Sequence, residues 1–190
     1  MRGRIVVLGL GDIQWGDAGV GVRAVEHLRM LWQCAPNVDV ANGGTQGRAL
    51  LPLVESARKM IVIKSVDFGL APGTLRVCVD DAAVEQLHAR SKGLHLMDFG
   101  GALACAQLKG CAPRRIVLIG VQPLEPGAYG ADLSPAVRAA LDTAVEAACH
   151  RLRRWRAAPQ RRAAPTPGAR AALPAAERSY ADSYADMALD

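Results

Sequence analysis

The sequence predicts an α/β layered domain built on a mostly parallel sheet. The first observation is a set of short, continuous apolar runs, such as Ile5-Val6-Val7-Leu8 and Met60-Ile61-Val62-Ile63, which suit strands covered on both faces. The second is that stretches with helical apolar spacing alternate with these runs. The third is composition: of 190 residues, 51% are hydrophobic, 22% are charged and 4% are aromatic. That is a folded chain whose core volume comes mainly from Val, Leu, Ile and Ala.

The elements follow in order. Ile5–Leu8 ends in glycines and reads as the first buried strand. Val20, Val22, Val25, Leu28 and Leu31-Trp32 recur at helical spacing, so a helix is expected over roughly 19–33. Pro36-Asn37 breaks the chain, and Val38-Asp39-Val40 is a second strand running into Asn42-Gly43-Gly44-Thr45. Leu50, Leu51, Leu53 and Val54 suggest a helix in which Pro52 fits the first turn. Met60–Ile63 is a third strand, and Pro72-Gly73 turns the chain into Thr74–Val79, whose alternation suits a strand with one wetter face. A helix over roughly 97–109 precedes the strand Arg115–Gly120. Ser134-Pro135 reads as an N-cap with Pro at N1, opening a last helix through Val137, Leu141, Val145 and Ala148.

From about Ala157 the pattern ends. Residues 157–190 hold twelve Ala and four Pro with interspersed Arg, a composition expected to stay disordered. The domain is therefore expected over 1–156 and a tail over 157–190. The formal charge of +5 divides unevenly: residues 1–150 carry 15 basic and 14 acidic side chains, whereas 151–190 carry 8 Arg and 4 acids. Residues 1–150 are nearly neutral and the excess sits on the Arg-bearing end of the last helix and the tail, which argues against a nucleic-acid partner. No apolar run approaches the ~20 residues of a membrane span. The N-terminus lacks a cleavage pattern for a signal peptide. Five Cys at 34, 78, 105, 111 and 149 lack C-x-x-C spacing, which points to a reducing cytoplasm and to small buried hydrophobes rather than a disulfide framework or zinc site.

Single motifs do little. Gly9-Leu10-Gly11 follows a strand, but the dinucleotide fingerprint needs a third glycine at position 14, where Gln14 stands. Neither a Walker A loop nor a Gly-x-Ser-x-Gly elbow is present. His27, His88 and His150 have no motif context and are expected on solvated helical faces.

As an ordered set, however, several strings match one family. They are Val7-Leu8-Gly9-Leu10-Gly11-Asp12-Ile13, Trp15-Gly16-Asp17, Gly19-Val20-Gly21-Val22-Arg23 and Asn42-Gly43-Gly44-Thr45-Gln46-Gly47. Further along come Val66-Asp67-Phe68-Gly69-Leu70-Ala71-Pro72-Gly73-Thr74, Ala106-Gln107-Leu108-Lys109-Gly110, Gly120-Val121-Gln122-Pro123 and Leu133-Ser134-Pro135. In this order, over roughly residues 4–155, the chain resembles the hydrogenase maturation endopeptidases of nickel–iron hydrogenases. The resemblance implies a three-layer domain with a twisted, mostly parallel five-stranded sheet between helices. It implies a partner, the nickel-loaded large-subunit precursor, from which such proteins remove a short C-terminal peptide. It implies no tightly bound cofactor of the protein's own, since the nickel belongs to the substrate. A substrate surface is expected around Gly43, Gly44 and Thr45.

The resemblance also implies three ligands for that nickel: a Glu opening the first helix, an Asp ending the third strand, and a later His. Here the chain departs from its family. The Glu position is Ala18, in Asp17-Ala18-Gly19, and the Asp position, read back from Pro72-Gly73-Thr74, is Lys64; His95 retains the third. Alanine has no donor atom. A protonated Lys repels a divalent cation, by roughly 8 kcal/mol at 4 Å and an effective dielectric near 20. Two site readings stay open, besides no defined site at all. In one, Lys64 replaces the metal and is neutralised by Asp12, Asp17 or Asp67. In the other, a rearranged metal site uses Asp17, Asp67 and His95. Three functions correspond: a working maturation endopeptidase, a non-catalytic assembly or chaperone factor for a hydrogenase large subunit, and a nucleotide-binding α/β protein, which Gln14 disfavours.

Overall fold

A computed structural model describes residues 3–88, 99–124 and 129–162. Its first half runs β1 (Ile5–Leu10), α1 (Val20–Leu31), β2 (Trp32–Gln33), β3 (Val38–Gly44), α2 (Leu51–Ser56), β4 (Lys59–Ser65) and β5 (Leu75–Val79). Its second half runs α3 (Asp81–His88), α4 (Phe99–Leu108), β6 (Arg115–Val121), α5 (Pro135–Ala139), α6 (Leu141–Arg154) and β7 (Gln160–Arg161). Five strands form one sheet in the order β3-β1-β4-β6-β5, parallel except for β5 against β6. The expected mostly parallel α/β sheet is what the chain forms.

Successive strand residues face opposite sides, and the unbroken apolar runs therefore build two cores. Val7, Ile61, Ile63, Val117 and Ile119 meet α1, α5 and α6 on one face. Val6, Leu8, Met60, Val62 and Leu118 meet α2, α3 and α4 on the other. The helix α1 lies against the sheet with no room for side chains at two glycines. A Cβ on Gly9 would stand 2.2 Å from the Gly21 carbonyl oxygen, and one on Gly21 would stand 2.1 Å from the Ile63 oxygen. The Gly9-Leu10-Gly11 string thus serves close helix–strand approach, one of the uses glycine has without any phosphate nearby.

Five expectations change. The helix α3 was not foreseen, because its buried positions are only Ala83 and Leu87, too few to set a period. The last helix is two: Ala140 interrupts it, its N–H turning back to the Val137 and Arg138 carbonyls. The chain also stays ordered past Arg156: Ala157 is buried, β7 pairs antiparallel with β2, and the Arg162 Nε donates to the Arg29 carbonyl at 3.1 Å. That short strand pair fastens the end of the domain to the end of α1. Of the cysteines, Cys78 and Cys149 are buried as expected, but Cys111 is exposed.

The fifth change is His27. Rather than lying on a solvated face, it is fully buried between α1 and α6, with its Nε2 2.9 Å from an Asp142 carboxylate oxygen. Burial lowers its pKa from 6.5, against the opposing pull of Asp142. The folded chain therefore binds this proton less readily than the unfolded chain does. Stability should be fully present above the unfolded value and should fall as pH drops through 6.5. Urea unfolding at pH 7.5 and pH 5.5 checks this: the midpoint should be lower at pH 5.5, and a higher one would contradict the assignment.

Candidate functional site at the carboxyl edge of the sheet

The chain leaves β1 to reach β3 on one side and later returns to place β4 on the other. This reversal opens a crevice at the carboxyl ends of β1 and β4, where ligands of open α/β sheets bind. Three segments with family strings converge on it. A 3-10 turn, Gly16–Gly19, enters α1 and packs against β4; the end of β4 runs into the 66–73 loop; and β3 ends in Gly43-Gly44.

Ala18 lies in the 3-10 turn, its carbonyl oxygen 1.8 Å from where a Cβ on Gly11 would be. The turn is thus pressed onto the end of β1. Lys64 is the penultimate residue of β4, half-buried, beside Gly120 of β6. Ala18 and Lys64 thus both lie at the carboxyl edge of the sheet. His95 lies outside the described residues.

Asp17 is buried and its carboxylate is already committed. One oxygen accepts the Ser134 N–H at 2.7 Å; the other accepts the Leu124 N–H at 2.9 Å and the Ser134 hydroxyl at 2.8 Å. It clamps the chain after β6 onto the turn before α1. Ser134 in turn caps α5, its Oγ accepting the Val137 N–H. The sequence reading found the cap but missed this second contact, whose only sign is that Trp-Gly-Asp and Leu-Ser-Pro occur together in the family strings.

Asp67 is exposed and organises its own loop. Its Oδ1 accepts the Gly69 N–H at 3.0 Å and the Gln122 Nε2 at 3.2 Å. The Gln122 Oε1 accepts the Phe68 and Leu70 N–H groups at 2.7 and 3.2 Å. Gln122 is a buried amide whose Nε2 also donates to the Pro123 carbonyl at 3.2 Å, so it satisfies four groups at once and fixes the loop beyond Lys64, a role that nothing in the sequence signals. Asp12 accepts the Gln14 N–H at 2.9 Å. Gly43 is buried against Leu8 and Leu10, and Gly44 holds φ +47° where the register of β1 and β3 slips; Thr45 is exposed beside them.

The rearranged metal site of Asp17, Asp67 and His95 includes a residue outside the described ones. Among the described residues no group of three or more His, Cys, Asp and Glu could hold a metal ion. Asp17 accepts three hydrogen bonds and Asp67 is turned to its own loop. Nor do the family positions fit a divalent cation, since Ala18 offers no donor and Lys64 brings a positive charge.

Around the crevice the surface is apolar. Ile13, Trp15, Leu70, Leu124 and Tyr129 are all exposed, Trp15 at 44% and Tyr129 at 66%. They stand on the three loops that follow β1, β4 and β6. The first and third of these are zipped together: Trp15 bridges Ala131, the Gly130 N–H donates to the Gln14 carbonyl at 2.7 Å, and the Trp15 and Tyr129 rings meet edge-on at 5.6 Å. An apolar rim on fixed loops is the kind of surface a protein partner covers.

Known proteins resemble this chain in sequence and in fold. The hydrogenase maturation protease family matches residues 22–151. The hydrogenase expression/formation protein HoxM of Cupriavidus necator is 41% identical over 160 residues, 84% of this chain and 79% of its own length. HupD of Rhodobacter capsulatus, also a hydrogenase expression/formation protein, is 43% identical over 152 residues, 80% of this chain and 72% of its own. The hydrogenase maturating endopeptidase HybD of Escherichia coli superposes with a TM-score of 0.78 at 28% identity, covering 84% of this chain and 98% of that one. The chain belongs to the hydrogenase maturation protease family.

Proposed function

We propose that this protein matures a nickel–iron hydrogenase as a non-cleaving assembly factor. It would engage the nickel-loaded large-subunit precursor in the cytoplasm, with its metal-dependent cleavage step impaired or lost and no tightly bound cofactor of its own. The observation that carries this reading is the donor set at the crevice. Ala18 and Lys64 stand where the resemblance puts two carboxylates, and the acid next to Ala18 in sequence, Asp17, is spent on Leu124 and Ser134. A substrate-borne nickel would meet one alkyl group and one cation where an endopeptidase offers two anionic ligands. Recognition has separate support in the apolar rim of Ile13, Trp15, Leu70, Leu124 and Tyr129 and in the exposed end of β3 at Thr45. Among the described residues no helix is long and apolar enough to cross a membrane, in keeping with a partner met in solution.

The test is direct. The protein is incubated with nickel-loaded large-subunit precursor, and the mixture is followed by size-exclusion chromatography and by intact mass. Co-elution with the precursor's C-terminal peptide still attached is the expected result. Release of the peptide at the rate of a family member with both acidic ligands would overturn the reading.

A further inference from the structure

The amino end of the sheet, opposite the crevice, holds a cavity of about 260 Å³ lined by Lys59, Arg115, Arg151, Arg154 and Trp155. Lys59 and Arg115 open the adjacent parallel strands β4 and β6 and are register partners. Arg151 and Arg154 are one turn apart at the end of α6, and the Lys59 ammonium stands 5.3 Å from the centre of the Trp155 ring. Asp80 meets this cluster through Arg115, at 3.0 Å. Four cations thus face one shared space against that acid.

Cations ending a helix are ordinarily explained by its dipole. That accounts for Arg151 and Arg154 but not for Lys59 and Arg115, which come from strand starts. Like charges on neighbouring strand positions are unfavourable. The half-buried Arg151 guanidinium also has its pKa lowered, first by burial and then by Arg154 and Arg115. The near-neutral sum over residues 1–150 therefore conceals Lys59 and Arg115, which join Arg151 and Arg154 in a concentrated positive site. Arginine forks and an ammonium around one cavity are the donors that phosphate oxygens take. The volume lies below the roughly 300–1,000 Å³ of pockets that enclose drug-sized ligands, so it suits a short anion rather than a whole nucleotide.

We infer that this cavity binds a short phosphate chain, of two or three phosphates, held by Lys59, Arg115, Arg151 and Arg154. The chain is either free or the exposed end of a nucleotide whose base stays outside. The site is independent of the maturation chemistry at the other end of the sheet.

The experiment is calorimetric titration of the full chain with sodium pyrophosphate and, separately, ADP, at constant ionic strength with sulfate as the control salt. Saturable one-to-one binding that sulfate does not reproduce is expected. Pyrophosphate binding at least as tightly as ADP assigns a free oligophosphate, and tighter ADP binding assigns a nucleotide's phosphate end; either supports the site. Arg151→Ala/Arg154→Ala should weaken binding at least tenfold, and Lys59→Gln, on a different element, several-fold. Because Arg151 and Arg154 repel one another, the double variant should melt no lower than the parent without anion. Absence of saturable binding, unchanged affinity in these variants, or an oligonucleotide complex that pyrophosphate does not displace would each overturn the inference.

Discussion

Asp17→Ala is expected to destabilise the fold by about 3–5 kcal/mol. Hydrogen bonds to a charged group contribute about 1.5–3 kcal/mol each, and donors left buried without partners add their desolvation cost. Three such bonds end on this carboxylate: from the Ser134 N–H, the Ser134 hydroxyl and the Leu124 N–H. Because Asp17 is only 3% exposed, water has little access to replace it. Asp17→Asn should lose part of this. With its single oxygen toward the Ser134 N–H, its amide N–H groups would face the Leu124 N–H, another donor. The measurement is the urea midpoint at unchanged slope, with amide exchange at Leu124 and Ser134 to localise the effect. Exchange there should accelerate, since the clamp joins the turn holding Ala18 to the segment opening α5. A loss below 1 kcal/mol for Asp17→Ala would mean the clamp is not structural.

That clamp shows where the sequence was legible and where it was not. The inner strands β1, β4 and β6 were readable because each is buried on both faces, so its apolar run is continuous, whereas the edge strands β3 and β5 were read from Val38-Asp39-Val40 and from alternation. β1 and β4 are the clearest, with Val6–Leu8 and Met60–Ile63 almost wholly buried. The helix α3 was not readable, because a short helix that buries only Ala83 and Leu87 leaves no period. His27 was misplaced on a solvated face. Its neighbours on α1 explain why: Val20, Ala24, Val25 and Leu28 define the inward face, and a buried imidazole beside them leaves no apolar mark in the sequence. The site divides in the same way. The positions of Ala18 and Lys64 were legible from ordered strings, since local sequence fixes them on the 3-10 turn and the strand end. The commitments of Asp17 and Gln122 were not, because their partners lie 107 to 117 and 52 to 55 residues away. Spacing cannot report contacts between segments that meet only in the folded chain. The basic cavity was hidden for the same reason: Lys59, Arg115 and Arg151 are remote in sequence, and the near-neutral sum over residues 1–150 masks Lys59 and Arg115, which the fold brings beside Arg151 and Arg154.

If the crevice is a site without its two acids, as proposed, supplying both should create metal binding there. Ala18→Glu/Lys64→Asp is expected to raise Ni(II) affinity at least a hundredfold, about 2.7 kcal/mol. The double change adds two carboxylates and removes one cation, so the Coulomb balance against a divalent ion shifts by three charges in the favourable direction. At an effective dielectric near 20, a single charge about 4 Å from a dication is worth roughly 8 kcal/mol. Desolvation and side-chain ordering absorb much of that, which is why the expected gain is far smaller than the sum. The two single variants separate the effects. Ala18→Glu leaves Lys64 opposing the ion, and Lys64→Asp leaves Ala18 without a donor, so each should gain much less than the pair. Calorimetric titration in a non-chelating buffer at neutral pH reads the affinity. Adding His95→Ala to the double variant should abolish the gain, because the resemblance makes His95 the third ligand. A gain that survives His95→Ala would place the metal elsewhere, and no gain in the double variant would show that Ala18 and Lys64 are not the positions that lost it.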